Sequence, residues 1–192
     1  MKEIVNLLFE AKMLKNIPRS GYPFLGAGKE SVAEHSFSTV FIAYVMSQME
    51  QEIDALKLMS MCLVHDLAES RTGDLNYVHK NYVSADEDKA INDATRNVPF
   101  GHSIVELTRE FNSGESMEAK LAHDADQLSF ILELKALSDI GYDPPKKWLK
   151  IILKRLETKT GKKISKSIMS TNWDAWWINN YNERPDRKKS GK

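Results

Sequence analysis

The sequence predicts an all-α fold. Apolar residues recur at three- and four-residue spacing almost throughout, the breaks between those runs are rich in Pro and Gly, and no segment shows the two-residue alternation of a strand. Length and composition agree with one globular unit. At 192 residues, 42% hydrophobic and 28% charged, the chain can bury roughly 70% of its unfolded surface without a disulfide or metal merely to fold.

Ile4, Leu7, Leu8, Ala11 and Leu14 share one helical face and predict a first amphipathic helix, which Pro18 ends. Residues 18–23, Pro-Arg-Ser-Gly-Tyr-Pro, read as a loop. Ser31 and Glu34 form a capping-box pattern, which opens a second helix to Met49 with His35 in its first turn. Asp54 is placed to cap a third helix, apolar on most faces (Leu56, Leu58, Met59, Met61, Cys62, Leu63, Val64, Leu67), that ends before Gly73. The stretch 75–83 is polar and irregular. Ser84 with Glu87 suggests another capping box and a charged helix to about Asn97, broken at Pro99 to Gly101. Helices are then expected over about 102–111 and 115–139, the second apolar nearly all round. Pro144 and Pro145 suit the start of a helix marked by Trp148, Leu149, Ile152 and Leu156. Trp173, Trp176, Trp177 and Tyr181 mark a last one, read as packing and not as a base-stacking surface. Residues 183–192 hold five Lys/Arg, two Asp/Glu and no apolar side chain, which reads as a disordered basic tail after a single domain over 1–182.

Twenty-seven basic and 27 acidic residues give net charge 0. No bulk positive field exists to gather phosphate backbones, so a nucleic-acid polymer is not an expected partner. Cys62 is the lone cysteine. It can form no internal disulfide and no Cys-based zinc cluster, and a reducing, cytoplasmic setting is expected. No signal-peptide core opens the chain and no run approaches the ~18 apolar residues of a membrane span, so no membrane partner is expected.

Chemistry concentrates where ionisable residues interrupt core-forming helices. On a continuous helix at ~100° per residue, Glu69 lies at about 40° and Asp66 at about 100° from His65, one shared arc. Burying such groups is costly unless they pair or bind a metal. His35, and the group His123, Asp124 and Asp126, are the other candidates on core helices. Two imidazoles with two carboxylates suit a borderline divalent cation such as Mn²⁺, Co²⁺, Ni²⁺, Fe²⁺ or Zn²⁺ and leave room for water and an anionic oxygen. Glu34 is absorbed by its capping box, and His79, His102 and Lys29 receive no role.

These strings resemble the HD-domain metallohydrolases. Glu-Ser-Val-Ala-Glu-His (30–35), Cys-Leu-Val-His-Asp-Leu-Ala-Glu (62–69), Gly73-Asp74-Leu75, and Glu118-Ala119-Lys120 leading to residues 124–128, Asp-Ala-Asp-Gln-Leu, are similar to the 5′-deoxynucleotidase branch over roughly residues 1 to 140. Residues 18–22 resemble its Arg-x-Gly-aromatic segment. The resemblance implies an HD-domain helical bundle with the metal site between central helices. It implies His35, His65, Asp66 and Asp126 as ligands of one divalent ion (Mn, Co, Ni, Fe, Zn or Mg). Asp126 is preferred to Asp124 on the family pattern alone, because periodicity does not separate them. Glu69 would handle the proton of the attacking water, Asp74 would lie near the sugar, Arg19 would contact phosphate and Tyr22 the substrate. A small-molecule nucleotide substrate, removal of phosphate from deoxyribonucleoside 5′-monophosphates and a homodimer are implied with them. Rivals are another phosphomonoester or cyclic nucleotide as substrate, or a non-catalytic binding module. Tyr22 stands where the branch more often has Trp, and residues 75–100 match loosely, so base preference does not carry over.

Overall fold

A computed structural model of the chain describes residues 1–182. It is an all-α fold, with no strand among the described residues. The helices are α1 (Lys2–Met13), α2 (Tyr22–Leu25), α3 (Val32–Met49), α4 (Ala55–Val64), α5 (Glu69–Thr72), α6 (Glu87–Thr95), α7 (Gly101–Ser113), α8 (Met117–Asp139), α9 (Pro145–Ile152), α10 (Lys159–Ser170) and α11 (Ala175–Asn182). Single 3₁₀ turns lie at Leu14–Asn16 and His79–Asn81. The expected tail at 183–192 falls outside the described residues.

The core is the three-way packing of α3, α4 and α8, with α9 and α10 laid against α8. Its fully buried side chains include Met46, Leu58, Met61, Leu121, Leu128, Ile131 and Leu134. A second apolar cluster gathers Leu7, Leu14, Val32, Leu67, Ile91, Ala94, Val98 and Val105. Two segments cross from one cluster to the other. In α3, His35 lies between Val32 of the smaller cluster and Ile42 of the larger, and His65-Asp66 lies between Cys62 of the larger and Leu67 of the smaller.

Helix starts follow side-chain capping. Ser31 Oγ accepts from Glu34 N at 3.2 Å while Glu34 Oε2 accepts from Ser31 N at 2.7 Å, the expected capping box. Asp54 caps α4 from Lys57 N, as expected. Asp86, and not Ser84, caps α6. Both are helix-initiating types two residues apart, and the sequence does not separate them.

The structure differs from the sequence reading in three further places. Residues 22–25, read as loop, form the single turn α2 because proline suits a first helical turn. The third helix stops at Val64, and residues 65–68 continue in tight turns closed by three-residue hydrogen bonds such as Leu67 N to Val64 O and Glu69 N to Asp66 O. That helix is buried or half-buried on most sides, as expected, with Leu56 and Leu63 72% and 63% exposed. Finally, α10 was not anticipated, and the preceding helix ends at Ile152 with Leu156 buried in the connection.

The missed helix is pinned by Asp124. This fully buried carboxylate accepts from Glu157 N and Thr158 N at 2.8 Å each and from Thr158 Oγ1 at 2.6 Å. Thr158 in turn caps α10 through Gly161 N at 2.9 Å. Gly161 has no substitute, because a Cβ there would collide with the Asp124 carboxylate. The Trp side chains of the C-terminal segment are less buried than packing implies, with Trp176 74% exposed. Asp124→Ala leaves buried donors unpaired and is expected to cost about 3 kcal/mol. A thermal melt should show a midpoint roughly 6–12 °C lower.

Candidate metal centre

Each imidazole is oriented by its own helix. His35, fully buried in the first turn of α3, places Nε2 2.9 Å from Asp126 Oδ1 of α8. Its Nδ1 lies 3.3 Å from Ser129 Oγ, one turn further along α8. Thr39 Oγ1 stands 3.5 Å from Nε2 and donates to His35 O at 2.9 Å. His65 follows the last residue of α4, and its Nδ1 donates to Cys62 O at 2.8 Å. That bond leaves Nε2 as the nitrogen facing the site. Asp126 Oδ2 accepts from Gln127 Nε2 at 2.7 Å.

Ligand atoms of His35, His65 and Asp126 all lie within 4.8 Å of one another. Donors at ~2.1 Å from a common ion stand ~3–4.2 Å apart, so the spread fits one cation after small adjustments. Asp66 Oδ2 adjoins this group, 3.2 Å from His65 Nε2 and 3.8 Å from His35 Nε2. His65 Nε2 is buried and makes no hydrogen bond of acceptable geometry. An orphaned imidazole nitrogen facing two carboxylates is what a divalent cation satisfies.

The charges explain the protonation states. Burial opposes charge on His65, but the Asp66 carboxylate, and then Asp126, push it up to about 9. Burial opposes the ionised Asp126 too, but the hydrogen bond and charge of His35 hold it well below the usual carboxylate range. Burial, then the charges of Asp66 and Asp74, raise Glu69 to about 9. Glu69 Oε2 is buried without a hydrogen-bond partner.

Arg19 reaches the same place from a loop. Arg19 N donates to Glu30 O and Val32 N to Ile17 O, both at 2.9 Å, closing the loop against the start of α3. The guanidinium Nη1 lies 3.1 Å from Asp74 Oδ1 and 3.4 Å from Asp66 Oδ2. Burial disfavours its charge, but Asp66, Asp126 and Asp74 raise its pKa further. Asp74 is aimed by Gly73, whose φ of +72° and ψ of 163° belong to glycine alone.

The structure therefore brings His35, His65, Asp66, Asp126, Glu69, Arg19 and Asp74 to one place. Tyr22 is 5% exposed, and its hydroxyl donates to Glu30 Oε2 at 3.2 Å. His123 is drawn elsewhere, its Nε2 2.6 Å from Phe111 O. The helical angles expected for Glu69 and Asp66 do not apply, because residues 65–68 are not continuous α-helix. Ser129, Thr39, Ser20 and Asn76 are brought in by the structure and not by the sequence pattern. Thr39 sits one turn after His35 and Ser20 beside Arg19, signals that the sequence carries.

The family profile described as HD domain matches residues 11–168. The chain belongs to the HD-domain family. Human 5′-deoxynucleotidase HDDC2 is 26% identical over 149 residues, 74% of this chain and 72% of its own length. The Dictyostelium discoideum protein of the same name is 30% identical over 132 residues, 62% and 70%. A conserved hypothetical protein from Pyrococcus furiosus superposes with a TM-score of 0.76 at 26% identity, covering 87% of this chain and 99% of that one. The HD-domain protein described here is a metal-dependent phosphohydrolase. Among its described residues no helix is long and apolar enough to cross a membrane.

A cation held by this group would take the place of the His65 proton, so loading should release at least one proton at neutral pH. Affinity should rise with pH up to about 9, where His65 is already deprotonated. Calorimetric Mn²⁺ titration in buffers of different ionisation enthalpy measures this. Asp126→Ala should abolish loading, and Asp124→Ala should keep it.

Proposed function

We propose that this HD-domain enzyme removes phosphate from deoxyribonucleoside 5′-monophosphates. The observation that carries the reading is a clamped arginine beside a His/Asp donor group: Arg19 Nη1 lies 3.4 Å from Asp66 Oδ2, and Asp66 lies 3.2 Å from His65. A phosphate receptor next to metal donors is what a phosphomonoesterase requires. The relatives named 5′-deoxynucleotidase, at 26% and 30% identity, support the substrate class.

In this reading His35, His65, Asp66 and Asp126 hold one divalent cation, with Mn²⁺ and Co²⁺ the first to test. The cation, when bound, polarises a phosphate oxygen and lowers the pKa of water. Arg19 binds the phosphate and neutralises its charge. Glu69 takes the proton of the attacking water at Oε2. Burial and the charges of Asp66 and Asp74 keep this carboxyl protonated without a cation, and a cation held by the neighbouring acids would favour the ionised form that takes the proton. Asp74 holds Arg19 on the sugar side; Tyr22, expected to touch the substrate, is buried in the larger apolar cluster and has no part in this reading. A homodimer and a cytoplasmic location go with this reading. Phe37 and Phe41, stacked on α3 and 73% and 59% exposed, support the first; the buried free thiol of Cys62 supports the second.

A panel of deoxy- and ribonucleoside monophosphates, other phosphomonoesters and cyclic nucleotides tests the substrate. Deoxyribonucleoside 5′-monophosphates should release phosphate best, chelation should stop turnover, and Mn²⁺ or Co²⁺ should restore it. Full activity in metal-stripped protein would end the metal assignment. Glu69→Gln should fold, keep metal and turn over at least ~10²-fold more slowly. A kcat near wild type with metal bound removes Glu69 from the mechanism. Arg19→Ala should lower kcat/KM by about ten- to a hundredfold with metal retained.

A further inference from the structure

Two loops meet over Asp74, and their contacts reach past the metal donors to Ser20 and Asn76. We propose that Ser20 is a positioning residue: together with Asn76 it locks the Asp74 carboxylate and so presets the Arg19 guanidinium before phosphate arrives. The proposal rests on the phosphohydrolase reading and adds how its phosphate receptor is held.

Ser20 gives two donors to one carboxylate oxygen. Its amide N lies 2.5 Å and its Oγ 2.7 Å from Asp74 Oδ2. The other oxygen, Oδ1, takes Arg19 Nη1 at 3.1 Å. Asn76 closes the second side, with Nδ2 donating to Ser20 O at 3.0 Å. Asn76 is itself anchored, because its Oδ1 accepts from Val78 N at 2.9 Å and His79 N at 3.0 Å. The carboxylate therefore cannot rotate without breaking its bonds to Ser20 and Arg19, and Asn76 holds the Ser20 backbone in place beside it.

The consequence falls on Arg19. Among the described residues Nη1 alone is engaged, donating to Asp74 and Asp66, while Nε and Nη2 donate to no protein acceptor. That free pair is the planar edge which grips two phosphate oxygens at once. An arginine on a free loop would lose its rotamer freedom on binding, whereas a clasped one has lost it on folding. The Ser20 amide would be present with any residue there. The hydroxyl is the part chosen by the sequence, and it bonds a charged acceptor, the stronger class of hydrogen bond.

The test compares Ser20→Ala, Ser20→Thr and Asn76→Ala in metal-loaded enzyme. Removing the hydroxyl should raise both KM and the dissociation constant for inorganic phosphate about tenfold. It should leave kcat within about threefold, because the clasp acts on binding and not on proton transfer. Metal content should match wild type, the melting midpoint should fall by no more than a few degrees for the one bond lost, and Ser20→Thr, which keeps the hydroxyl, should restore phosphate affinity. Asn76→Ala should shift phosphate affinity in the same direction as Ser20→Ala. Phosphate binding by Ser20→Ala equal to wild type overturns the clasp, and phosphate release from deoxynucleoside monophosphates would still support the substrate reading. Ser20-dependent phosphate binding without such release overturns the substrate reading and leaves the clasp standing. A loss of kcat and metal with unchanged phosphate affinity also overturns it, since that would place Ser20 with the donors.

Discussion

The buried balance of charge in the seam between the two apolar clusters is the constraint on which the rest depends. Asp66, Glu69, Asp74 and Asp126 face Arg19, His35 and His65 within a region where unpaired charge is costly. No single pair closes the account. Asp66 serves His65, His35 and Arg19 together, with separations of 3.2, 3.8 and 3.4 Å. Glu69, the carboxyl without a hydrogen-bond partner at Oε2, is the one pushed into its protonated form. A divalent cation held here would add the positive charge that this group of acids lacks, and its binding would then also stabilise the fold.

Helices and loops hold different parts of the site, each by its own means. The candidate donors come from the ends and middle of packed helices: His35 in the first turn of α3, His65 at the end of α4, Asp126 inside α8. These three helices pack on one another in the core, which fixes donor spacing by side-chain packing. The groups that would meet substrate come instead from loops, Arg19 from the segment before α2 and Asp74 from the segment after α5. Loops have no such packing, and the backbone pairing of 17–19 with 30–32, the Gly73 conformation and the Ser20–Asp74–Asn76 bonds do the fixing instead.

The sequence made the helical class legible because a 3.6-residue period survives in nearly every segment. It made α3 legible to its first residue, because a capping box is a local signal that tertiary structure did not override. It failed at residues 65–68, where the same apolar and ionisable residues fit a continuous helix but the chain winds into tight turns. The difference is set by contacts with two separate apolar clusters, which no local window contains. It failed at α10 for a related reason. The signal there is Thr158 as N-cap, with Ile164 and Ile168 one turn apart, a weak stripe among lysines. What holds it is Asp124, some thirty residues earlier in the chain.

The same pair of acids shows why periodicity could not choose between Asp124 and Asp126. Two residues apart on a helix, they point about 200° away from each other. On a surface helix one of them would face water and the choice would be plain. But α8 lies between layers, with α3 and α4 on it and α9 and α10 also packed against it. Both directions are therefore occupied, and each carboxylate meets its own partners. Asp126 turns to the His35 imidazole, and Asp124 to the backbone that starts α10. Two-sided burial hides the answer from the sequence, and it also makes α8 stiff enough to hold a metal donor: a helix clamped on both faces cannot lean away from His35 without tearing Asp124 from Thr158.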